Sequence, residues 1–186
     1  MTDLSEQLAQ AAKRVFASGD PYEPEFAVGA AHTLLAPTDL GMLDRTQFHA
    51  IGQAHARDGG GAVYVTALPD YELGPSLGMN GWYEIDFNDP QTYYGDSWCG
   101  HLESLIVPIS GRWAVLVAEH YHALVAGSSD FVETLLEQVT LSPDEMALLL
   151  VRRWKELGEI GLPSPWLPSL LEATYGSEEA ARLTAD

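Results

Sequence analysis

LESLIVPISGRWAVLVAEHYHALVAGSSDFVETLLEQV, residues 102 to 139, is the apolar heart of the chain. Leu105, Val107 and Ile109 alternate with Ser104, Ile106 and Pro108, the period-two spacing of a strand. Pro108 has no N–H to give to a ladder, which argues for an edge strand or a bulge there. Ser110-Gly111 is a short turn, with glycine free to take a positive φ. Arg112 to Ala118, RWAVLVA, is apolar on both faces. Trp113, Val115 and Val117 point one way and Ala114 and Leu116 the other, as in a central strand covered on both sides. Glu119-His120 reads as the next turn and Tyr121 to Ala126 as a third strand. Ser128, Ser129 and Asp130 then offer helix N-caps, with Asp130 and Glu133 at capping-box spacing. Phe131, Leu135, Leu136 and Val139 share one face of the helix that follows.

Working outward, residues 3 to 17 predict an amphipathic helix with Leu4, Leu8, Ala11, Ala12 and Val15 on one stripe. Phe26 to Leu35 reads as a strand in preference to a short helix. Asp44 caps a helix that carries Phe48, Ile51, Gln53 and His55, with Gln47 at the capping-box position. A flexible Gly59-Gly60-Gly61 break precedes the strand Ala62 to Leu68. Gly81 to Phe87 alternates Trp82, Glu84 and Asp86 against Tyr83, Ile85 and Phe87, a half-exposed strand with an acidic outer face. Asn88-Asp89-Pro90 starts a turn, and Gln91 to Gly100 reads as an irregular aromatic loop. Beyond the central stretch, Ser142-Pro143-Asp144-Glu145 is a strong helix start, with Met146, Leu149, Leu150, Trp154 and Leu157 as the buried face. Ser164-Pro165 and Gly176-Ser177 begin two further helical segments. The expected architecture is α+β: one domain over residues 1 to 186, an antiparallel sheet of about five strands with flanking helices, and a helical extension from 142 to 186 packed on it.

Composition narrows the function. One cysteine excludes an intramolecular disulfide framework. No apolar run approaches the ~20 residues of a membrane span. The start, MTDLSEQLAQ, lacks a basic region and an apolar signal core, so the expectation is a cytoplasmic protein. Acids outnumber bases 27 to 9, a net charge of −18. Between Asp58 and Val151 there are 14 acids and a single base, Arg112. Such a field repels nucleic acid and anionic membrane; it either attracts a basic partner or serves solubility alone.

Three constellations carry candidate chemistry. Cys99 and His101, with Asp96, stand close enough in DSWCGH for a thiol and a base, but no oxyanion-donor signature accompanies them and catalytic Cys and His usually come from distant parts of a chain. A small enzyme using Cys99 and His101 is therefore an alternative reading. His120 and His122, with His101, could converge as metal ligands on a strand, but a turn at Glu119-His120 would splay them, and no HExxH or CxxC spacing is present. No phosphate-binding, dinucleotide-binding, nucleophile-elbow or kinase signature occurs, so neither metal nor cofactor is expected. The third is an acidic-aromatic surface made by Asp70, Tyr71, Glu72, Trp82, Glu84, Asp86, Asp89, Tyr93, Tyr94, Asp96 and Trp98. Aromatic anchors beside carboxylates suit a protein interface with a basic partner.

The segment from 112 to 139, an apolar strand, a turn, a second strand, Gly127 and then Asp130-Phe131-Val132-Glu133-Thr134-Leu135-Leu136, resembles the end of the SUKH-type bacterial immunity proteins. The resemblance implies an α+β domain that neutralises a cognate toxin by binding it, with no catalytic residue. The expected function is thus a non-enzymatic, acidic toxin-immunity or inhibitor protein. A DNA-mimic or phage-borne inhibitor is a further alternative that suits the charge.

Overall fold

The computed structural model describes residues 3–16, 22, 32–38, 42–68, 81–95, 103–119, 121–159 and 165–185. Its centre is an antiparallel sheet of six strands: β1 (His32–Pro37), β2 (Val63–Ala67), β3 (Tyr83–Ile85), β4 (Ser104–Pro108), β5 (Ala114–Ala118) and β6 (His122–Gly127). Their order across the sheet is β1-β6-β5-β4-β2-β3, and every neighbouring pair is antiparallel. Seven helices are seen among the described residues: α1 (Leu4–Lys13), α2 (Arg45–Arg57), α3 (Gln91–Tyr94), α4 (Ser129–Gln138), α5 (Pro143–Glu159), α6 (Trp166–Tyr175) and α7 (Ser177–Thr184). The fold is α+β, with one strand more than the sequence suggested. None of these helices is long and apolar enough to cross a membrane.

β5 is the interior strand that RWAVLVA predicts, and its five residues are fully buried. Trp113, Val115 and Val117 join one core with Phe48, Ile51, Tyr93 and Phe131, the side of α2, α3 and α4. Ala114 and Leu116 join the other, with Leu8 of α1, Leu150 of α5 and Leu167 of α6. Burial on both faces explains why these strands read as continuous apolar runs. α1 lies over the β4–β5 turn, where Arg14 donates to the Ser110 carbonyl at 3.2 Å. Gly111 turns there with φ +62°, and a Cβ on it would stand 3.0 Å from the Ala11 backbone, so both the turn and the close approach require glycine.

Pro108 does not mark an edge. β4 is an interior strand between β5 and β2. The Ile109 N–H donates to the Ala62 carbonyl and the Leu68 N–H to the Glu103 carbonyl, so odd-numbered residues of this segment face β2. The proline nitrogen therefore faces the β5 side, beyond the last β4–β5 pair at Ile106 and Val115. No ladder bond is lost. Ile109 lies past the strand and is exposed instead of completing the apolar face.

The caps fall close to the sequence signals. Asp44 and Gln47 form the reciprocal capping box of α2. Ser128 is the cap of α4, accepting from the Phe131 N–H, which selects it over Ser129 and Asp130. Ser142 and Glu145 form the α5 box. The buried face of α5 is Met146, Ala147, Leu150 and Val151, rotated from the expected stripe; Leu149, Trp154 and Leu157 are half-buried. The C-terminal helices pack on the β1 side of the sheet, α5 and α6 against β1 and α7 against both.

The β1 edge is partly covered by side chains and by α5 and α6. Thr38 N–H donates to the Tyr121 carbonyl, so even-numbered residues of β1 pair with β6 and odd-numbered ones face outward. Of the outward groups, the Pro37 carbonyl accepts from Gln47 and Pro37 has no N–H. The Tyr175 hydroxyl lies against the Leu35 backbone, where burial pushes its pKa up to about 12.

Candidate functional site

The other edge of the sheet is β3, and it is built differently. It is three residues long, with Tyr83 and Glu84 exposed and only Ile85 buried. The strand then turns sharply. The Asp86 carboxylate accepts from the Asn88 backbone N–H and from its side chain, at 2.9 and 3.0 Å. The Asp89 N–H returns to the Asp86 carbonyl, and the Asp89 carboxylate accepts from the Gln91 N–H, starting α3. Thr92 locks the turn: its hydroxyl accepts from the Asp86 N–H and donates to the Asp89 carbonyl. Asp and Asn favour such turns because their short side chains bond to backbone two residues on.

The members of the expected surface lie in different surroundings. Glu84, Asp86 and Asp89 are exposed on the edge and its turn. Trp82 is half-buried and packs on the α1–α6 side of the sheet, so the Trp82–Glu84–Asp86 face is not all solvent-facing. Tyr93 is fully buried, with its ring stacked on Phe48 at 5.3 Å. That removes it from any partner surface: the segment expected to be an irregular loop starts with a helical turn that aims Tyr93 into the core. Tyr94 is half-buried and donates to the Leu43 carbonyl at 2.8 Å; burial raises its pKa first, with the neighbouring Tyr93 next. The two tyrosines anchor the turn. Asp70, Tyr71, Glu72, Asp96 and Trp98 lie outside the described residues, as do Cys99, His101 and His120. His122 is fully buried and its ring stacks on Trp166 at 4.3 Å, which takes it out of a solvent-facing metal site. No group of three or more His, Cys, Asp or Glu is placed to hold a metal among the described residues.

The site also contains residues that sequence reading missed. A cleft of about 520 Å³ runs between β3 and α2, with His49, Gln53 and Gly61 on one side and Glu84, Asp86 and Asn88 on the other. The elements meet tightly at its base: a Cβ on Gly52 would stand 2.6 Å from the Phe87 Cβ. The signal was present as Gly52 and Ala56, small residues one turn apart on α2. Tyr83, read as an inward residue, is 37% exposed because nothing among the described residues extends the sheet past β3.

Among the described residues, no cation pairs with the charge at this edge. The ion pairs among the described residues are Arg57 with Glu137 and Arg182 with Asp144 and Glu179, none of which involves β3 or its turn. Arg112, the single base between 58 and 151, donates to the Asp58 carbonyl. Among the described residues, Glu84 faces the Tyr64 hydroxyl across the strand pair, whose pKa rises through burial first and then through the carboxylate. Comparison with protein-family models, with curated proteins and with solved structures yields no match.

Proposed function

We propose that the chain is a non-enzymatic interaction protein that binds a basic protein, in the manner of a toxin-immunity or inhibitor protein. The observation that carries this reading is the exposed trio Glu84, Asp86 and Asp89, which has no cation beside it among the described residues and sits on a rigidly closed turn. Like charges held together repel one another, and a basic partner relieves that repulsion on binding. The resemblance of residues 112 to 139 to SUKH-type immunity proteins supports the same class. Charge at an interface acts mainly on the rate of encounter.

The test is affinity capture from the native source, followed by association kinetics across a salt series. A basic partner is expected, binding fast at low salt and more slowly as salt rises. Charge reversal, Glu84→Lys with Asp86→Lys, is expected to cut the association rate, with a stability loss of about 1 kcal/mol because Asp86 gives up its turn hydrogen bonds to Asn88. An acidic partner, or an unchanged association rate for the double variant at low salt, refutes the reading.

A further inference from the structure

We infer that β3 is a docking edge, and that the basic partner contributes an extended, cationic segment that adds to the sheet as a seventh strand beside Glu84. This rests on the reading above and adds the mode of recognition to it. Hydrogen-bond parity fixes which backbone groups of β3 face outward. The bonds Ile109 to Ala62 and Leu68 to Glu103 place the even-numbered residues of β2 toward β4. Val63 and Val65 therefore face β3, and their register partners Ile85 and Tyr83 use their backbone groups on β2. Glu84, opposite Tyr64, turns its N–H and its carbonyl outward. No described residue accepts from that N–H or donates to that carbonyl. The next outward pair, on Asp86, is already taken by Thr92 and by the Asp89 N–H. The open stretch is thus short, centred on Glu84, and ended by the turn.

The contrast with the opposite edge is informative. β1 has a side chain from α2 on its last outward carbonyl, and α5 and α6 pack against it. β3 has carboxylates instead. A second copy of this chain is a poor occupant, because it would bring Glu84 and Asp86 against the same acids, and like charges placed opposite each other across a strand pair are destabilising. A cationic strand meets complementary charge, main-chain pairing gives it affinity, and alternate side chains reach the two faces. One set lies beside the Glu84 and Tyr64 side chains and the other beside those of Tyr83 and Ile85.

The probe is a short peptide alternating lysine and valine, compared with the same peptide N-methylated on alternate backbone nitrogens. Both carry equal charge, but the second cannot complete a ladder. The unmethylated peptide is expected to bind about tenfold more tightly, the size of one or two net hydrogen bonds, and to slow hydrogen exchange of the Glu84 amide. Glu84→Pro removes the outward donor without touching the β2 ladder, and Glu84→Gln removes charge alone. The proline variant is expected to lose the preference for the unmethylated peptide, and the glutamine variant to keep it. If the proline variant does not fold, the exchange measurement on the unaltered protein decides. Equal binding of the two peptides with steep salt dependence overturns strand addition while leaving the acidic-surface reading intact. Unaltered Glu84 exchange in a saturated complex also overturns it. Failure of both peptides to bind, at low salt where charge attraction is greatest, overturns the docking edge; the charge-reversal kinetics above then judge the broader reading separately.

Discussion

Trp113 shows how one side chain couples the two layers on one face of the sheet. Its ring is fully buried, stacked on Phe131 at 4.8 Å and edge-on to His55 at 5.5 Å. The indole Nε1 can only donate, so at 3.3 Å it fixes His55 Nδ1 as acceptor. His55 Nε2 then carries the proton and donates to the Gly61 carbonyl at 3.0 Å. A single indole thus orients the imidazole that holds the glycine turn between α2 and β2, one wall of the cleft. Trp113→Ala is expected to cost about 3–5 kcal/mol in urea unfolding through the lost ring and the cavity left behind. Trp113→Phe keeps most of the stacking but leaves His55 Nδ1 without its donor, an expected cost of roughly 1–3 kcal/mol. Wild-type stability in the alanine variant would remove Trp113 from the core; equal losses in both variants would assign its contribution to the hydrogen bond and not to the ring.

At the scale of elements, Asp44 and Gln47 show one device serving two purposes. Their box satisfies the first turn of α2, and Gln47 also donates to the outward Pro37 carbonyl of β1. Asp44→Ala is expected to lower stability by about 1 kcal/mol, the usual value of such a cap, without altering the sheet; thermal melting with far-ultraviolet dichroism checks both, and an unchanged midpoint would refute the cap. This box was legible because its chemistry is local, as were Ser142 with Glu145 and the two-sided burial of RWAVLVA. What depended on partners far along the chain was not. Pro108 suggested an edge, yet strand order is set by pairings across long separations and the proline sits where the β5 ladder has ended. Tyr93 looked like a surface aromatic, since nothing in QTYYGDSWCG reveals that Phe48 waits to stack on it. The acids of the site were read correctly as exposed at Glu84, Asp86 and Asp89, but the facing helix was not, because His49 and Gln53 become neighbours of β3 only when α2 closes over Phe87.

For the whole molecule, the net charge of −18 sets a balance that salt should expose. Close, favourable charge pairs are few among the described residues: Arg57 with Glu137, and Arg182 with Glu179 and Asp144. These lie at the surface, where such pairs contribute at most about 1 kcal/mol each and less as salt rises. The unfavourable side is the repulsion among the remaining acids, which acts over a distance comparable with the screening length, about 30 Å at 0.01 M salt and about 8 Å at 0.15 M. Folding brings those charges closer together than the open chain does, so repulsion weighs on the folded state more than on the unfolded one. Adding sodium chloride from about 0.01 to 0.15 M at neutral pH should therefore raise the melting temperature, since it screens many long-range repulsions and weakens few short attractions. In a chain of this size each kcal/mol gained moves the midpoint by about 2–4 °C. The same salt slows capture of a basic partner, so stability and association rate should move in opposite directions along one salt series. A melting temperature that falls over this range would mean that the ion pairs outweigh the repulsion. The acids of the β3 edge would then carry no electrostatic cost in the free protein for a partner to relieve.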